Sequence, residues 1–311
     1  MKKVVITGAT CMLGLSLINE CISRKTHVLA VIRGNTERRS LLPKSEYITV
    51  YECDLSELHS AEYDDFDFDA FYHFAWDVSH DNGRDNGRNI VDTQQANIGY
   101  TLDAVKFAHK LGCRKFVGIG SQAEYGRVSG SITTDTRIAP ENAYGISKYA
   151  AGKLSSILAE QLCMGFVWTR IFAVYGIHDP PSTMIMYCID SLLKGKKPAL
   201  TKCEQQWDYL NTRDAAAALY LLGEKGRNQA IYNIGSGVSR PLSQYVYAIR
   251  DAIDPALPLG IGEREYAPKQ VMHLCADIAD LKADTGFEPS VPFEDGIKEV
   301  IQWRRKLFAS V

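Results

Sequence analysis

The stretch "KVVITGATCMLG", from Lys3 to Gly14, decides the fold of this chain. Its first half is a short apolar run rich in β-branched residues, which is typical of a buried strand. A turn containing glycine follows, and the next residues, "LGLSLINECISRK", carry apolar side chains at helical spacing. A strand that turns tightly into a helix this early in the chain predicts the first unit of an α/β fold.

The same alternation continues through the first half of the chain. Strand patterns begin at residues 27, 47, 69, 115 and 165, with the sequences "HVLAVIR", "YITVYEC", "DAFYHFA", "KFVGIGS" and "GFVWTRIFAVYG". A long helix is predicted from about 90 to 111, and another around Tyr144. Strands and helices in alternation predict an α/β fold of the Rossmann-like, doubly wound type, a parallel sheet that helices cover on both faces.

After Gly176 the pattern loosens. "DPPS" breaks the chain, "MIMYCIDSLLKGKKP" predicts a helix, and "WDYLNTRDAAAALYLLGEKG" predicts a strand running into a helix that ends at Gly226. "AIYNIGSG" predicts one more strand. The short elements and the prolines between Pro255 and Pro292 predict a smaller and less regular C-terminal part.

Composition narrows the classes of function. A chain of 311 residues suits one large domain or two fused ones, and its formal net charge of -2 gives no reason to expect nucleic acid or an acidic membrane as partner. No apolar run approaches the ~18 residues that span a bilayer, and the start of the chain reads as a strand rather than a secretory signal. The eight cysteines show no metal-ligand spacing, so we expect reduced thiols, no metal and a cytoplasmic protein.

The loop "TGATCMLG" is a candidate phosphate-binding loop. Such a turn brings backbone N–H groups and a helix N-terminus close to a pyrophosphate. Gly8 would form the tight turn and Gly14 would allow close helix packing, but Cys11 holds the middle position, where glycine is usual. A plain tight turn is the alternative, and the place between the first strand and the first helix favours a dinucleotide. The candidate contacts are Gly8, Thr10, Cys11, Met12, Leu13 and Gly14.

The end of the second strand indicates which dinucleotide binds. An acidic residue there binds the adenosine ribose, whereas an arginine accommodates the extra phosphate of NADP. Arg33 occupies that place, with Arg38 and Arg39 close behind, so we prefer NADP(H) over NAD(H); a solvated turn is the alternative. Asp54, with Leu55 beside it, either hydrogen-bonds the adenine or caps the helical turn that follows.

Together with "FYHFAW", "GSQAEYG" and "YGISK", these features resemble the extended branch of the short-chain dehydrogenase/reductase superfamily, and in particular its nucleotide-sugar epimerase, dehydratase and 4-ketoreductase group. Later segments, among them "RIFAVYG" and "YNIGSG", extend the resemblance almost end to end. It implies a dinucleotide-binding domain of residues 1–174, rejoined by about 207–235. The substrate-binding part then lies within 175–311, mainly 175–206 and 236–311. A homodimer through the helix near 90–111 and the Tyr144 helix is also implied.

The resemblance implies a catalytic set of Ser121, Tyr144 and Lys148. Ser121 would hold the reacting substrate oxygen, and Tyr144 would donate or remove its proton while hydride moves to or from a nicotinamide. A free tyrosine has a pKa near ~10, and Lys148, one helical turn beyond, is expected to lower the pKa of Tyr144 and to bind the nicotinamide ribose. A tyrosine and a lysine that merely share a helix face are the alternative.

Phe74, Ala75 and Asn97 are implied to border the cofactor. Phe74, Ala75 and Trp76 follow the fourth strand, and a place in the core is the alternative for them; we assign Trp76 to the substrate. Asn97 resembles the helix asparagine found near the cofactor in this group, with a solvated helix asparagine as the alternative.

Three departures from the group narrow the reaction. Gln122 and Ala123 stand where its dehydratases usually have Asp-Glu, and Glu124, one place later, is expected to point elsewhere. A sugar 4,6-dehydratase is therefore disfavoured, and Gln122 becomes a candidate contact to substrate.

The other two departures concern the substrate. Trp207 replaces the arginine that commonly binds the substrate diphosphate, so Arg213 and Arg240 are the candidate substitutes. Pairing with Asp214 or with solvent is the alternative for Arg213. Ala173 stands where asparagine is frequent, which suggests a different substrate pose or a different substrate.

We therefore expect an NADPH-dependent reductase of a 4-keto nucleotide sugar. The alternatives are a nucleotide-sugar 4-epimerase that retains NAD, a reductase of a non-sugar ketone or aldehyde, and a cofactor-sensing binding protein without catalysis. Some relatives of this fold that serve as regulators have lost the tyrosine and lysine, and both remain here.

Overall fold

The computed structural model describes residues 1–78 and 87–309. Its strands, in chain order, are β1 Lys3–Thr7, β2 His27–Ile32, β3 Ile48–Glu52, β4 Ala70–His73, β5 Lys115–Ser121, β6 Ser131–Ile132, β7 Gly165–Ile171, β8 Ala173–Tyr175, β9 Gln206–Trp207, β10 Tyr209–Asn211, β11 Ala230–Ile234, β12 Arg240–Pro241 and β13 His273–Ala276. Its helices are α1 Met12–Ser23, α2 Val91–Lys110, α3 Ala143–Gln161, α4 Met184–Leu193, α5 Thr212–Lys225, α6 Leu242–Ile253, α7 Ala279–Thr285 and α8 Phe293–Ala309.

Seven strands form one parallel sheet in the order β11-β7-β5-β4-β1-β2-β3. The chain fills one side of the sheet from β1 to β3 and then crosses to the other side at β4. This is the doubly wound α/β fold that the sequence predicts, and that prediction is confirmed. Its topological switch point lies between β1 and β4, where ligands of such sheets bind at the carboxyl ends of the strands.

Helices cover both faces of the sheet, which explains why its strands are continuous apolar runs. Val4 and Ile6 of β1 pack with buried side chains of α1 and α5 on one face. Val5, between them, packs with α2 and α3 on the other face. Alternate residues of one strand thus enter two separate cores, so neither face can carry a polar stripe.

The run from 165 to 176 is not one strand, as its sequence predicts, but two. After Ile171 the chain leaves the main sheet, and the Phe172 N–H donates to the Ile234 carbonyl at 2.9 Å. Ala173 then pairs with Tyr209, so β8 and β10 make a separate two-stranded sheet. The predicted helix 184–198 likewise ends early, at Leu193.

The C-terminal part packs α4, α6 and α8 around its own buried cluster, which includes Ile189, Ile249 and Ile297. A small four-stranded sheet, in the order β12-β9-β13-β6, links it to the loops that follow β5. Meanwhile β11 returns to the edge of the main sheet beside β7. On this packing we propose the division into a dinucleotide-binding domain and a substrate-binding part at the boundaries given above.

Two further observations concern the described residues as a set. No helix within residues 1–78 and 87–309 is long and apolar enough to cross a membrane. Over the same ranges, no group of three or more His, Cys, Asp or Glu side chains is arranged to hold a metal ion. All eight cysteines lie in these ranges and are free thiols.

Candidate active site

The loop between β1 and α1 has the close packing that a phosphate-binding loop needs. Gly8 has a φ of +65°, and a Cβ built on it would lie 2.7 Å from the backbone nitrogen of Ala75. A Cβ on Gly14 would lie 2.6 Å from the Gly8 carbonyl oxygen. Both positions therefore require glycine. The backbone of the loop rests directly on the segment after β4, at the switch point of the sheet, and this cradle fits a dinucleotide.

Cys11 has a defined role in this loop. It is the N-cap of α1, and its Sγ atom accepts a hydrogen bond from the Gly14 N–H at 3.2 Å. Burial raises the pKa of the Cys11 thiol, so the thiol stays neutral at the place where a pyrophosphate would approach. Met12 and Leu13 form the first turn of α1 and are partly buried.

Arg38, for which the sequence left a solvated turn as the alternative to phosphate binding, contacts the same loop. Its Nε atom donates to the Thr10 carbonyl oxygen at 2.9 Å. The rest of the guanidinium remains exposed beside the loop. A cation thus lies next to the candidate phosphate position, brought there from the segment after β2.

The end of β2 combines a free cation with carboxylates. Arg33 is exposed, and in the described part of the chain it forms no ion pair. Glu52, at the end of β3, pairs with Arg39, and its Oε2 atom lies 3.0 Å from where a Cβ of Gly34 would be. The sequence carries no acid at the end of β2, but parallel pairing with β3 places one beside it. A cavity of about 370 Å³ opens between these groups.

Asp54 caps the 3₁₀ turn that begins at Leu55. Its Oδ1 atom accepts the Ser56 N–H at 3.0 Å and the Ser56 hydroxyl at 2.8 Å, and the Glu57 side chain reaches back to the Asp54 N–H. The capping alternative is therefore confirmed. A contact of Asp54 or Leu55 with adenine stays a prediction.

Ser121, Tyr144 and Lys148 come together although they lie on two elements. Ser121 ends β5, and Tyr144 and Lys148 lie one turn apart at the start of α3. The Tyr144 phenol lies beside the Ser121 side chain, and the Lys148 Nζ atom lies 5.8 Å from the centroid of the Tyr144 ring. Gly145 makes this approach possible, since a Cβ there would collide with the Ala123 carbonyl.

The electrostatics of the three groups differ from the sequence expectation. Burial raises the pKa of Tyr144, against the charge of Arg88 and the neighbouring Ser121 side chain. Burial lowers the pKa of Lys148 to about 7. The Nζ atom donates to the Ile119 carbonyl at 2.7 Å and not to the phenol. The expectation that Lys148 brings the pKa of Tyr144 below its usual range is therefore wrong, because desolvation of the phenol outweighs the neighbouring charges.

Trp76 forms a wall of this site. Its ring centroid lies 3.6 Å from the Lys148 Nζ atom and 6.0 Å from the Tyr144 ring, with an angle of 83° between the two rings. Its indole N–H donates to the Gln94 Oε1 atom at 2.9 Å, which fixes the plane of the ring. Trp76 is partly buried and also packs against the core cluster that α2 and α3 cover, so its contact with substrate stays a prediction, and Phe74 is buried in the core.

Asn97 is buried and positions the segment after β4. Its side chain accepts the Asp77 N–H at 2.6 Å and donates to the Asp77 carbonyl at 2.8 Å. The alternative of a solvated helix asparagine is therefore wrong. Its amide holds the backbone next to Ala75 and Trp76, and a direct contact with the cofactor stays a prediction.

The candidate substrate residues occupy three different places. Gln122 begins the 3₁₀ turn directly after Ser121 and is partly buried. Ala173 lies on β8, opposite Tyr209. Arg213 is exposed and pairs with Glu299 at 2.9 Å, at the surface between α5 and α8.

Arg240 lies in a more enclosed setting. It pairs across the antiparallel β12–β9 ladder with Trp207, the residue that stands in place of the usual diphosphate arginine. Its guanidinium packs over the Tyr245 ring at 4.3 Å and pairs with Glu294 at 2.7 Å. The β12–β9 pairing thus places the Arg240 cation next to Trp207, the position at which the diphosphate arginine is absent.

Sequence reasoning missed a buried ion pair behind Ser121. Glu124 does point away from the reacting side, as expected, but its carboxylate meets the Arg170 guanidinium at 2.8 Å, and both side chains are fully buried. The signal was present in "FVWTRIF", because an arginine within a buried strand needs a carboxylate partner.

These features define the class of protein. A glycine loop at the switch point of a doubly wound sheet, with serine, tyrosine and lysine gathered beside it, is the arrangement of a short-chain dehydrogenase/reductase enzyme. The chain belongs to the NAD dependent epimerase/dehydratase family, whose sequence pattern matches residues 4–235.

Proteins similar to this chain carry out several reactions. The dTDP-glucose 4,6-dehydratase of Salmonella typhimurium is 24% identical over 334 residues, which cover 97% of this chain and 92% of that protein. The dTDP-4-dehydro-6-deoxyglucose reductase of Escherichia coli is 23% identical over 313 residues, 96% of each chain. The structure of UDP-N-acetylglucosamine 4-epimerase from Methanobrevibacter ruminantium M1, in complex with UDP-N-acetylmuramic acid, has a TM-score of 0.86 at 21% identity and covers 98% of this chain and 99% of that one. A structural likeness at this identity shows the fold, so the reaction must be argued from the site.

Proposed function

We propose that this chain reduces the 4-keto group of a nucleotide sugar with NADPH, and that Tyr144 donates the proton. The observation that carries the proposal is the juxtaposition of Ser121, at the carboxyl end of β5, with Tyr144 and Lys148 at the start of α3. When bound, the nicotinamide supplies the hydride. Ser121 holds the carbonyl oxygen, and the Tyr144 hydroxyl delivers a proton to it.

The protonation of Tyr144 supports the reducing direction. Burial raises the pKa of its phenol, so the phenol carries its proton at neutral pH and is ready to give it to an alkoxide. An enzyme that begins by oxidising an alcohol needs a base at this position instead. Gln122 and Ala123 further disfavour elimination of water, because neither side chain is an acid.

The choice of NADPH rests on two arginines. Arg33, exposed at the end of β2, and Arg38, held beside the phosphate loop, offer cations to a 2′-phosphate. On the substrate side, Arg240 is the better candidate for a phosphate contact, because it lies opposite Trp207 on the β12–β9 ladder, whereas Arg213 is exposed at the surface between α5 and α8.

A nucleotide-sugar 4-epimerase with retained NAD is the second candidate, and Glu52 favours it. Its carboxylate lies beside Gly34 at the end of β2, near the place where an acid would bind the adenosine ribose. Protein purified without added cofactor distinguishes the two. NAD that stays bound through purification favours the epimerase, whereas an empty protein that binds added NADPH favours the reductase.

The deciding experiment measures turnover and binding separately. Wild type and Tyr144→Phe are given NADPH or NADH with a panel of 4-keto nucleotide sugars. We expect turnover with NADPH in the wild type only, and nearly equal cofactor affinity in both proteins. Unchanged activity in Tyr144→Phe would contradict the proposal, and the absence of any turnover with intact binding would favour a cofactor-sensing protein.

We propose a homodimer through α2 and α3. These two helices pack together, and α3 leaves Ile146, Leu154 and Ile157 exposed on one face. An Ile157→Glu variant should lower the mass measured by sedimentation to that of a monomer. Val238→Glu changes an exposed valine outside α2 and α3, so it is the control and should leave the mass unchanged. The free thiols suit the cytoplasm that we propose as its location.

A further inference from the structure

Glu124 is a fully buried carboxylate, and only one of its two oxygens binds Ser121. Oε1 accepts the Ser121 N–H at 2.9 Å and the Trp168 indole N–H at 3.0 Å. Oε2 accepts from Arg170 Nε at 2.8 Å and, at the longer distance of 3.3 Å, from the same indole N–H. A carboxylate that served only to neutralise Arg170 would have no need of the Ser121 amide. The division of its oxygens therefore connects the ion pair to the reacting serine.

The contact with Ser121 fixes its side chain as well as its backbone. Glu124 and Ser121 form a capping box, in which the Ser121 hydroxyl accepts the Ala123 N–H at 3.2 Å. The Tyr144 phenol lies beside the same hydroxyl. Because one backbone amide is held by Oε1 and one hydroxyl lone pair by Ala123, few orientations of Ser121 remain.

Trp168 packs between β5, which bears Ser121, and α3, which bears Tyr144 and Lys148. A Cβ on Gly118 or Gly120 of β5 would collide with its indole, and a Cβ on Gly152 of α3 would lie 2.6 Å from it. The indole therefore fills a space that three glycines leave between β5 and α3. Glu124 therefore contacts both Ser121, through its amide, and the indole that packs against α3.

The charge of Glu124 also reaches Lys148. Lys148 is buried, and its Nζ atom binds the carbonyl of Ile119, two residues before the Ser121 amide that Glu124 accepts from on β5. The negative charge of Glu124 favours the ammonium form of Lys148. The titratable and charged groups that face Glu124 or Lys148 are Arg170 on β7, Tyr125 beside Glu124, Tyr144 on α3, His73 on β4 and Cys11 in the phosphate loop.

We propose that Glu124 is a positioning residue of this site, whose buried carboxylate orients Ser121 and whose negative charge attracts the Lys148 ammonium, which is bound two residues before Ser121 on the same strand. The inference rests on the proposed function for the roles of Ser121 and Lys148. It adds a fourth group to the machinery, one that does not touch the substrate. It also explains why this chain keeps an acid one place beyond the pair of acids that it lacks.

The test separates charge from position. Glu124→Gln keeps the shape and removes the charge, whereas Glu124→Asp keeps the charge and shortens the reach to Ser121. We expect both to lower kcat about tenfold or more with little change in KM, since Ser121 acts on the reacting oxygen. Only Glu124→Gln should lower the pKa of Lys148, measured by NMR of labelled lysine side chains, with Lys148→Met to assign the signal.

Trp168→Phe is the matched control, because it removes a neutral donor from the same carboxylate and leaves the charge in place. It should not move the pKa of Lys148. An unshifted Lys148 signal in Glu124→Gln, or an equal shift in Trp168→Phe, overturns the proposal. If Glu124→Gln fails to fold, the pair Glu124→Gln/Arg170→Met leaves no unpaired buried charge, and an unchanged kcat in it overturns the proposal. The Lys148 pKa is not compared there, because two opposite charges are lost together.

The Lys148 titration needs no substrate, so the inference and the proposed function can fail separately. A shifted signal in a protein that turns over no keto sugar keeps the role of Glu124 and rejects the reaction. Turnover of a keto sugar with unchanged kcat in Glu124→Gln keeps the reaction and rejects the role of Glu124.

Discussion

The Lys148 Nζ atom lies 3.6 Å from the centroid of the Trp76 ring and 2.7 Å from the Ile119 carbonyl oxygen. The ring covers one side of the ammonium and one carbonyl accepts from it, in a site that excludes most water. An aromatic face attracts a cation but replaces hydration only in part. This is why burial lowers the pKa of Lys148 to about 7.

Lys148 therefore lowers the stability of the fold at neutral and acid pH. Its pKa falls from 10.5 in the unfolded chain to about 7 in the folded one, so between these values the unfolded chain holds a proton that the folded chain has lost. Stability should rise as the pH rises through this window. We expect Lys148→Met to unfold at higher urea than wild type near pH 6, by about 2 kcal/mol, and to lose this advantage toward pH 10.

Lys106→Met is the matched control for this prediction. Lys106 is exposed on α2 and pairs with Asp103, so its removal should change stability little at either pH. A Lys148→Met protein that is less stable than wild type at both pH values would show that contacts of the ammonium outweigh its desolvation. Turnover should be lost in either case, which would illustrate a cost of function to stability.

Arg33 should determine the affinity for NADPH but not for NADH. A charged hydrogen bond to the 2′-phosphate contributes about 1.5–3 kcal/mol, so Arg33→Ser should weaken NADPH binding about tenfold or more. Titration of intrinsic fluorescence with each dinucleotide measures this. Arg114→Ser, at the amino end of β5, is the control and should change neither affinity. Equal loss for both dinucleotides would reject a role for Arg33 at the 2′-phosphate.

Gly8 should be far more sensitive to alanine than Gly130. Both have a positive φ, +65° and +86°, so alanine at either position costs roughly 1–2 kcal/mol of backbone strain. Gly130 has open space around it, whereas a Cβ on Gly8 would press on the amide of Ala75. Gly8→Ala should therefore weaken dinucleotide binding about tenfold or more, and Gly130→Ala should leave it unchanged. Similar affinities in the two variants would show that the loop yields easily.

Asp179 is a buried carboxyl group with one side-chain donor, the Thr183 hydroxyl at 3.0 Å. Burial raises its pKa from 3.8 to about 7, so the folded chain holds a proton that the unfolded chain loses across this window. Stability should therefore fall as the pH rises from about 4 to 7. Asp179→Asn should be more stable than wild type by about 2 kcal/mol near pH 8, and nearly equal to it near pH 4.

Asp208→Asn provides the contrast. Asp208 is also buried, but its carboxylate accepts from the Ser236 N–H and hydroxyl, the Gly237 N–H and the Ala276 N–H. Replacement by an amide removes acceptor capacity from these donors and should destabilise the fold near pH 8 by about 2 kcal/mol. Thermal unfolding at both pH values tests the pair. A destabilised Asp179→Asn at pH 8 would mean that its ionised form has partners beyond Thr183.

Local pattern predicted most of the main sheet. The strand ends were within a few residues because buried parallel strands are continuous apolar runs bounded by turns. The one long strand from 165 to 176 was misread, since the apolar pattern does not change where the chain leaves β7 for β8. Which sheet a strand joins depends on its partners, here Tyr209 for Ala173, and they are distant in sequence.

The sequence predicts the proposed reacting groups but not their environment. Tyr144 and Lys148 share a helix turn, and local spacing reveals that. The Trp76 wall, the Glu52 carboxylate and the Glu124–Arg170 pair all join residues from different strands and helices. The direction of the pKa shift of Tyr144 depends on the same packing, because desolvation is a property of the assembled site.

The sequence by itself determined the order of strands and helices, the glycine loop and the Ser-Tyr-Lys set, because periodicity and turn chemistry act between near neighbours. Only the tertiary structure decided which charges face one another, that the Tyr144 phenol keeps its proton, and that Lys148 is poised near neutrality. The physical reason is that Coulomb and desolvation energies depend on distance and burial in space, and a linear sequence records neither.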